Sequence, residues 1–169
     1  RQGLWLCLVS SAILIFILLN ASFLFRLAEI DPEVSRIASE YLQAVSGGIP
    51  PVILYVALRH TAEGMGLTRP PMLIAGSVLP LNALLNYALV YGNWGAPELG
   101  GVGCGWATAV VFWVELGLMA FVVRMRQFRA TNTFAEFDAP SLSVMKDILK
   151  LGVPIGIAIF LEMAMFAVV

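Results

Sequence analysis

Two carboxyl side chains, Glu115 and Glu162, lie inside long apolar stretches of the sequence. An ionisable group in hydrocarbon costs several kcal/mol unless it faces protein or water, so each is a candidate functional residue. Glu162 follows Leu151 by 11 residues, which is about 16 Å along a helix and near the middle of a hydrocarbon core of about 30 Å. A carboxyl at this depth can carry a proton or bind Na⁺, as in carriers with a midmembrane site. The alternative is a neutral Glu162 that only hydrogen-bonds a neighbouring helix.

Glu115 is the weaker of the two candidates. Counted from Leu99, it lies toward the last third of its apolar stretch, where it can line a water-filled vestibule, contact a substrate or extend toward the surface. Thr108 is seven residues earlier, on the same helical face. The alternative is a hydrogen-bonded stripe that faces the bundle.

A pair of amides lies in a third apolar stretch, where Asn82 and Asn86 are four residues apart and share a helical face. Their oxygens can coordinate a cation or hold water, and hydrogen bonding between helices is an equally consistent interpretation. Pro80 removes a helical hydrogen bond just before the pair and is a candidate bend or hinge.

Small residues recur at the spacing that lets helices approach closely. The GxxxG pairs Gly101/Gly105 and Gly152/Gly156 predict tight helix packing or a hinge, and Pro154 lies inside the second pair. The glycine run is not a nucleotide-binding loop, because no Lys-Ser/Thr and no preceding strand accompany it.

Other kinds of site find little support. His60 is the single histidine and has no second ligand nearby, and Cys7 and Cys104 are far apart in apolar stretches, so we predict no metal site beyond Na⁺ at Glu162. We also predict no cofactor and no enzyme activity, since a nucleophile with its base is missing. The net charge of -1 argues against nucleic acid as a partner.

The composition of the chain indicates which kind of structure holds these residues. The chain is 60% hydrophobic and 12% charged, with a mean hydropathy of +0.88, which predicts an integral membrane protein in contact with the lipid bilayer. The apolar stretches are too long for barrel strands and lack alternation, so the predicted fold class is an all-α polytopic bundle with five transmembrane helices. Trp113 lies deeper in its span than the other tryptophans, and we expect it to pack. The predicted spans are about 3–25, 41–58, 70–92, 101–123 and 148–169.

The basic residues fall unevenly on the two sides of these spans. Eight of the ten lie on one side, so the positive-inside rule predicts that the N-terminal residue and loops 59–70 and 124–150 are cytoplasmic. Residues 125–147 form the longest polar stretch and are the candidate linker between two bundles. The sequence starts without Met and ends inside an apolar run, which predicts a fragment of a longer protein.

Several short motifs occur in order over nearly the whole chain. They are RQGLW at 1–5, LR at 58–59, EG at 63–64, GLTRP at 66–70, LN at 81–82 and 85–86, VYG at 90–92, GGVG at 100–103, GWATA at 105–109 and KLGVPIG at 150–156, followed by Phe160 and Glu162. Together they resemble the NorM-like branch of the MATE (multidrug and toxic compound extrusion) family.

The resemblance implies a twelve-helix transporter of two six-helix lobes in a bacterial inner membrane. Residues 1–124 would then be part of the N-lobe, 125–147 the cytoplasmic inter-lobe loop, and 148–169 the truncated first helix of the C-lobe. The implied activity is export of cationic or amphiphilic, drug-like organic compounds by antiport with Na⁺ or H⁺. The helices that complete both lobes would be its remaining partners.

The resemblance also implies roles for individual residues. Glu162 matches the family's helix-seven carboxylate, which is implicated in binding the coupling cation, and Asn82, Asn86 and Thr108 fall in the polar network of the N-lobe. Two other functions stay open. A flippase of lipid-linked sugars is disfavoured because no Lys or Arg falls inside a predicted span, and a non-transporting membrane scaffold is the third reading.

Overall fold

A computed structural model of the chain describes residues 2–27, 29, 31–124 and 141–168. Within those residues the secondary structure is helical and contains no strand. The helices, numbered along the chain, are α1 Gln2–Leu19, α2 Ala21–Leu27, α3 Pro32–Ser46, α4 Ile49–Gly64, α5 Arg69–Tyr91, α6 Gly101–Val123 and α7 Leu142–Val168, with a 3₁₀ turn at Asn93–Gly95. This confirms the predicted all-α fold class.

The predicted membrane crossings correspond to helices of the right length. Four segments in the described residues are long and apolar enough to span a bilayer: Gln2–Phe23, which joins α1 to α2, then α5, α6, and Leu142–Phe166 of α7. A fifth crossing is obtained when α3 and α4 are counted as one broken span with a bend of 49°. The chain is therefore a polytopic helical membrane protein, and the five predicted spans are obtained when the bent pair is counted as one.

The second predicted span, 41–58, differs most from what is observed. The uncharged run starts at Tyr41, but α3 begins at Pro32. There the Asp31 carboxylate accepts a hydrogen bond of 2.9 Å from the Glu33 backbone N–H. Asp31 is thus an N-cap, and a proline at the first helical position suits the start of a helix. The span is also interrupted, since α3 ends at Ser46 and α4 begins at Ile49.

Helix α6 is the centre of the described bundle. It packs against α3, α4 and α5, and its buried residues are mostly small, which lets three neighbours approach it. A buried cluster of Tyr55, Ala62, Ile74 and Met119 joins α4, α5 and α6 near the end of α6. Many large apolar side chains elsewhere are exposed, as expected for surfaces that meet lipid or further helices.

Helix α7 lies apart from this core. It packs against α1, where the Ser141 backbone N–H donates to the Gln2 side chain at 2.9 Å, and most of its length is exposed. The helix begins at Leu142, six residues before the predicted boundary of 148. The rest of the predicted linker, 125–140, lies outside the described residues, as do Arg1 and Val169.

Candidate functional site

The two amides of α5 form a hydrogen-bonded pair, as their spacing predicts. The Asn86 amide nitrogen donates to the Asn82 side-chain oxygen at 2.8 Å and to the Asn82 backbone carbonyl at 3.0 Å. The Asn86 side-chain oxygen is buried and has no hydrogen-bond partner among the described residues. A buried amide oxygen without a partner is unfavourable by roughly 1–3 kcal/mol. The Asn86 oxygen is therefore an acceptor that can bind a cation, a water molecule or a donor from outside the described residues.

Close packing of α6 on α5 sets which α6 residues lie near this pair. Gly103 lies directly against the Leu89 carbonyl, and Ile74 and Met119 share a buried cluster further along. These two contacts between α5 and α6 show that the helices run antiparallel. They also place Thr108 at the same height along the bundle as the turn that contains Asn82 and Asn86.

Thr108 has its hydroxyl turned to its own helix. The Thr108 hydroxyl donates to the Cys104 backbone carbonyl at 2.8 Å, a common arrangement for threonine in a helix. The oxygen keeps its acceptor lone pairs. The structure thus brings Asn82, Asn86 and Thr108 to one level of the bundle, and their predicted role in cation binding remains a prediction.

Glu115 faces a neighbouring helix. Val111 and Met119, one turn before and one turn after it, are 5% and 0% exposed, and Glu115 itself is half buried between them. Tyr55 and Arg59 of α4 lie within electrostatic reach of the carboxyl group. Glu115 thus lies near α4, and both its predicted role at a vestibule or substrate and the alternative of a hydrogen-bonded stripe stay predictions.

Glu162 is separated from the other candidates. It is exposed on α7, which packs against α1, whereas Asn82, Asn86 and Thr108 lie on α5 and α6. The structure does not bring Glu162 together with the amide pair. The two-lobe arrangement that the resemblance implies, with the carboxylate in the second lobe, stays a prediction.

The predicted packing glycines behave differently from one another. A Cβ on Gly105 would meet the Tyr41 carbonyl oxygen at 2.9 Å and the Ala44 Cβ at 3.0 Å, so α3 and α6 touch there as the GxxxG motif predicts. Gly101 is looser, with its nearest atom at 3.9 Å. At Gly152 and Gly156 the described structure leaves open space, and their packing role stays a prediction.

Neither proline interrupts its helix. Helix α5 continues through Pro80 and α7 through Pro154. Each ring still removes one backbone hydrogen bond from the helix interior, so a hinge at either position stays a prediction.

At the end of α4, charged side chains form an exposed cluster. The Arg59 guanidinium donates to Glu63 at 2.7 Å, and the His60 ring nitrogen lies 3.1 Å from the other Glu63 oxygen. Residues 59–64, predicted as loop, thus extend the helix. Over the described ranges, no group of three or more His, Cys, Asp or Glu side chains is arranged to hold a metal ion.

Sequence comparison relates the chain to a known transporter family. The sequence model of the MatE family matches residues 1–88, which is more than half of the chain. The chain belongs to the MatE family. The match covers α1 to α4 and α5 as far as the amide pair.

Two bacterial relatives match the chain along its whole length. They are a protein named "Multidrug resistance protein NorM" from Vibrio parahaemolyticus, 39% identical, and one named "Multidrug resistance protein MdtK" from Photorhabdus laumondii, 41% identical. The chain spans 37% of the length of each. The NorM-like resemblance of the sequence motifs is thereby confirmed.

Sequence reasoning missed several residues that position the site in this MatE family member. A Cβ on Gly103 would lie 2.6 Å from the Leu89 carbonyl oxygen, closer than at either predicted GxxxG pair. The expectation that Trp113 packs is wrong, since its side chain is 56% exposed in the described structure; its indole N–H instead donates to the Gly47 carbonyl at 3.1 Å. Tyr55 is buried, and its hydroxyl has no hydrogen-bond partner within the described ranges. The spacing of four between Tyr55 and Arg59 was the available signal for a shared face, but it did not show which helix lies opposite.

Proposed function

We propose that the chain is part of a secondary active multidrug efflux transporter that exports cationic or amphiphilic organic compounds by antiport with Na⁺ or H⁺. The observation that carries this proposal is the match, along the whole chain, to relatives named multidrug resistance proteins. The free oxygen of Asn86 inside the membrane-spanning bundle supports it, because a cation carrier needs a buried acceptor that its own helices do not satisfy.

The amide pair is the candidate cation site of the first lobe. Asn82 is held by the Asn86 amide nitrogen, which leaves the Asn86 oxygen fixed and available, with the Thr108 hydroxyl at the same level of the bundle. Oxygen atoms of this kind can bind Na⁺ directly, or a hydrated proton through water. Glu162 supplies a carboxylate to a second site on the other lobe.

Coupling follows from differential affinity. A cation that binds one arrangement of the lobes more tightly shifts the population toward that arrangement, and a substrate that prefers the other shifts it back. Export driven by an inward ion gradient requires only that the two ligands prefer opposite arrangements. Such a transporter carries out no covalent chemistry, so we assign neither an enzyme activity nor a cofactor.

The domain assignment is also a proposal. Residues 1–124 belong to the N-lobe, 125–147 link the lobes, and 148–169 open the C-lobe. The excess of Lys and Arg in loops 59–70 and 124–150 supports a cytoplasmic position for them in a bacterial inner membrane. The partners are the bilayer, drug-like organic cations and the helices that complete the lobes.

The assignment of residues can be tested in the full-length transporter that contains this chain. Cells loaded with a fluorescent organic cation are given imposed Na⁺ or pH gradients, and efflux is compared for the native protein, Asn86→Ala and Glu162→Gln. We expect both variants to lose gradient-dependent efflux. Asn93→Ala, in the exposed turn after α5, is the matched control and should keep it. Gradient-driven efflux that survives in Glu162→Gln would show that its proposed role is wrong.

A further inference from the structure

Glu115 lies in the contact between α4 and α6. Gly48, just before α4, packs on Ala109 of α6, and seven residues further along the two helices come Tyr55 and Leu116. Leu116 packs against the buried cluster that contains Tyr55. The helices therefore run in the same direction, and Glu115 is at the level of Tyr55.

Tyr55 has a polar atom that this contact leaves unsatisfied. Its side chain is 4% exposed, and its hydroxyl has no hydrogen-bond partner among the described residues. A buried hydroxyl without a partner is unfavourable, and a carboxylate is among the strongest acceptors for it. Glu115 is level with Tyr55 and within electrostatic reach of it, without a hydrogen bond between the two groups in the described structure, and we take it as the acceptor.

The charged groups around Glu115 are few and lie toward one end of the bundle. Arg59, one turn beyond Tyr55 on α4, is the charge that acts on Glu115 in the described structure. Arg59 pairs with Glu63, which leads to the exposed end of the helix. On α5, Arg69 is level with the end of α6. The charged residues of α3 lie near the start of α6, at the opposite end, and are Glu33, Arg36 and Glu40.

The packing selects which ligand this carboxyl can bind. Tyr55 and Met119 are almost fully buried, so these two side chains offer no surface to an organic substrate. The nearby Arg59 charge disfavours a metal cation. A proton requires no space, and its loss leaves a carboxylate that the Tyr55 hydroxyl and Arg59 stabilise.

The geometry points to Glu115 as a proton-binding site in the α4–α6 contact, with Tyr55 as its hydrogen-bond donor and the Arg59–Glu63 end of α4 as its route to water. The proton leaves the Glu115 carboxyl for water at that end, which we propose is cytoplasmic. The remaining carboxylate then accepts the Tyr55 O–H. This inference rests on the proposed transport function, to which it adds a protonation site distinct from Glu162 and from the amide pair.

Infrared difference spectroscopy of the full-length transporter in lipid tests this site directly. Spectra recorded across a pH series report the C=O stretch of protonated carboxyl groups. We expect the native protein to lose one such band as the pH rises, Glu115→Gln to lack it, and Glu33→Gln, an exposed carboxyl of α3, to keep it. A pH series that is the same for Glu115→Gln and the native protein would overturn the inference.

Two further variants keep the test decisive if Glu115→Gln does not fold. Tyr55→Phe removes a donor to the carboxylate and Arg59→Gln removes a positive charge, so each should shift the midpoint of the Glu115 band to higher pH. For Tyr55→Phe we expect about a tenfold higher proton affinity. An unshifted midpoint in both variants would overturn the inference.

The same samples separate this inference from the proposed function. Each is assayed for transport of tetraphenylphosphonium, an organic cation of fixed charge, under Na⁺ and pH gradients. Native protein that moves none of it would refute the transport proposal, whereas the infrared band alone decides whether Glu115 binds a proton.

Discussion

Replacement of Gly103 by Ala tests how closely α5 and α6 must pack to hold the candidate site. The added Cβ would lie 2.6 Å from the Leu89 carbonyl oxygen and 2.7 Å from its carbon, where an ordinary contact begins at 3.4 Å. The helices must therefore separate by about 0.8 Å, because backbone atoms cannot rotate away. The same carbonyl accepts a hydrogen bond of 3.0 Å from the Leu99 N–H, which the displacement would strain.

The expected magnitude follows from two opposing terms. Ala gains up to about 0.5–1 kcal/mol over Gly within a helix, and forced overpacking costs about 1–3 kcal/mol. Gly117→Ala is the matched control, since it lies in the same helix with nothing within 4 Å of its Cβ. The difference between the two variants isolates the overpacking cost, and we expect Gly103→Ala to be less stable than Gly117→Ala by about 1–3 kcal/mol.

Unfolding of the full-length transporter in detergent micelles, followed by heat or by denaturant, measures this difference. The predicted order of stability is Gly117→Ala at or above the native protein, and Gly103→Ala below both. A Gly103→Ala protein as stable as Gly117→Ala would refute the reasoning, because it would mean that the Leu89 carbonyl does not lie against this glycine.

Two further predictions concern the broken span. Trp113→Phe removes the indole donor to the Gly47 carbonyl and should lower the free energy of unfolding by about 0.5–1.5 kcal/mol. Trp106→Phe, in the same helix, is the control and should lower it less. Equal effects of the two substitutions would contradict a role for this hydrogen bond. Asp31→Ala removes the N-cap of α3 and should lower stability by about 0.5–2 kcal/mol. Asp31→Ser should restore most of that loss, and a failure to do so in the same unfolding assay would count against the cap.

The sequence predicted the bounds of α6 well and those of the broken span poorly. Helix α6 has the predicted bounds of 101–123, because glycine precedes it and Arg124 ends its apolar run. Helix α3 carries charged residues along most of its length, so a span predicted from uncharged residues includes only its last residues, from Tyr41 on. Its true start depends on Asp31 and Pro32, which act through local hydrogen bonding and backbone geometry.

Part of the candidate site could be predicted from the sequence and part of it could not. The spacing of Asn82 and Asn86 predicted a shared face, because both residues lie on one helix. The surroundings of Glu115 could not be predicted, since they depend on which helix packs opposite and in which register. That register follows from Gly48 against Ala109, a contact between residues 61 positions apart.

The central claim is that the full-length transporter exchanges an organic cation for Na⁺ or H⁺. Purified protein in liposomes, with an imposed Na⁺ or pH gradient and no other energy source, tests it most directly. We predict that tetraphenylphosphonium moves against its own concentration gradient, that the driving ion moves in the opposite direction, and that Glu162→Gln abolishes both movements. Transport that ignores both gradients, or no transport by correctly inserted native protein, would contradict the account.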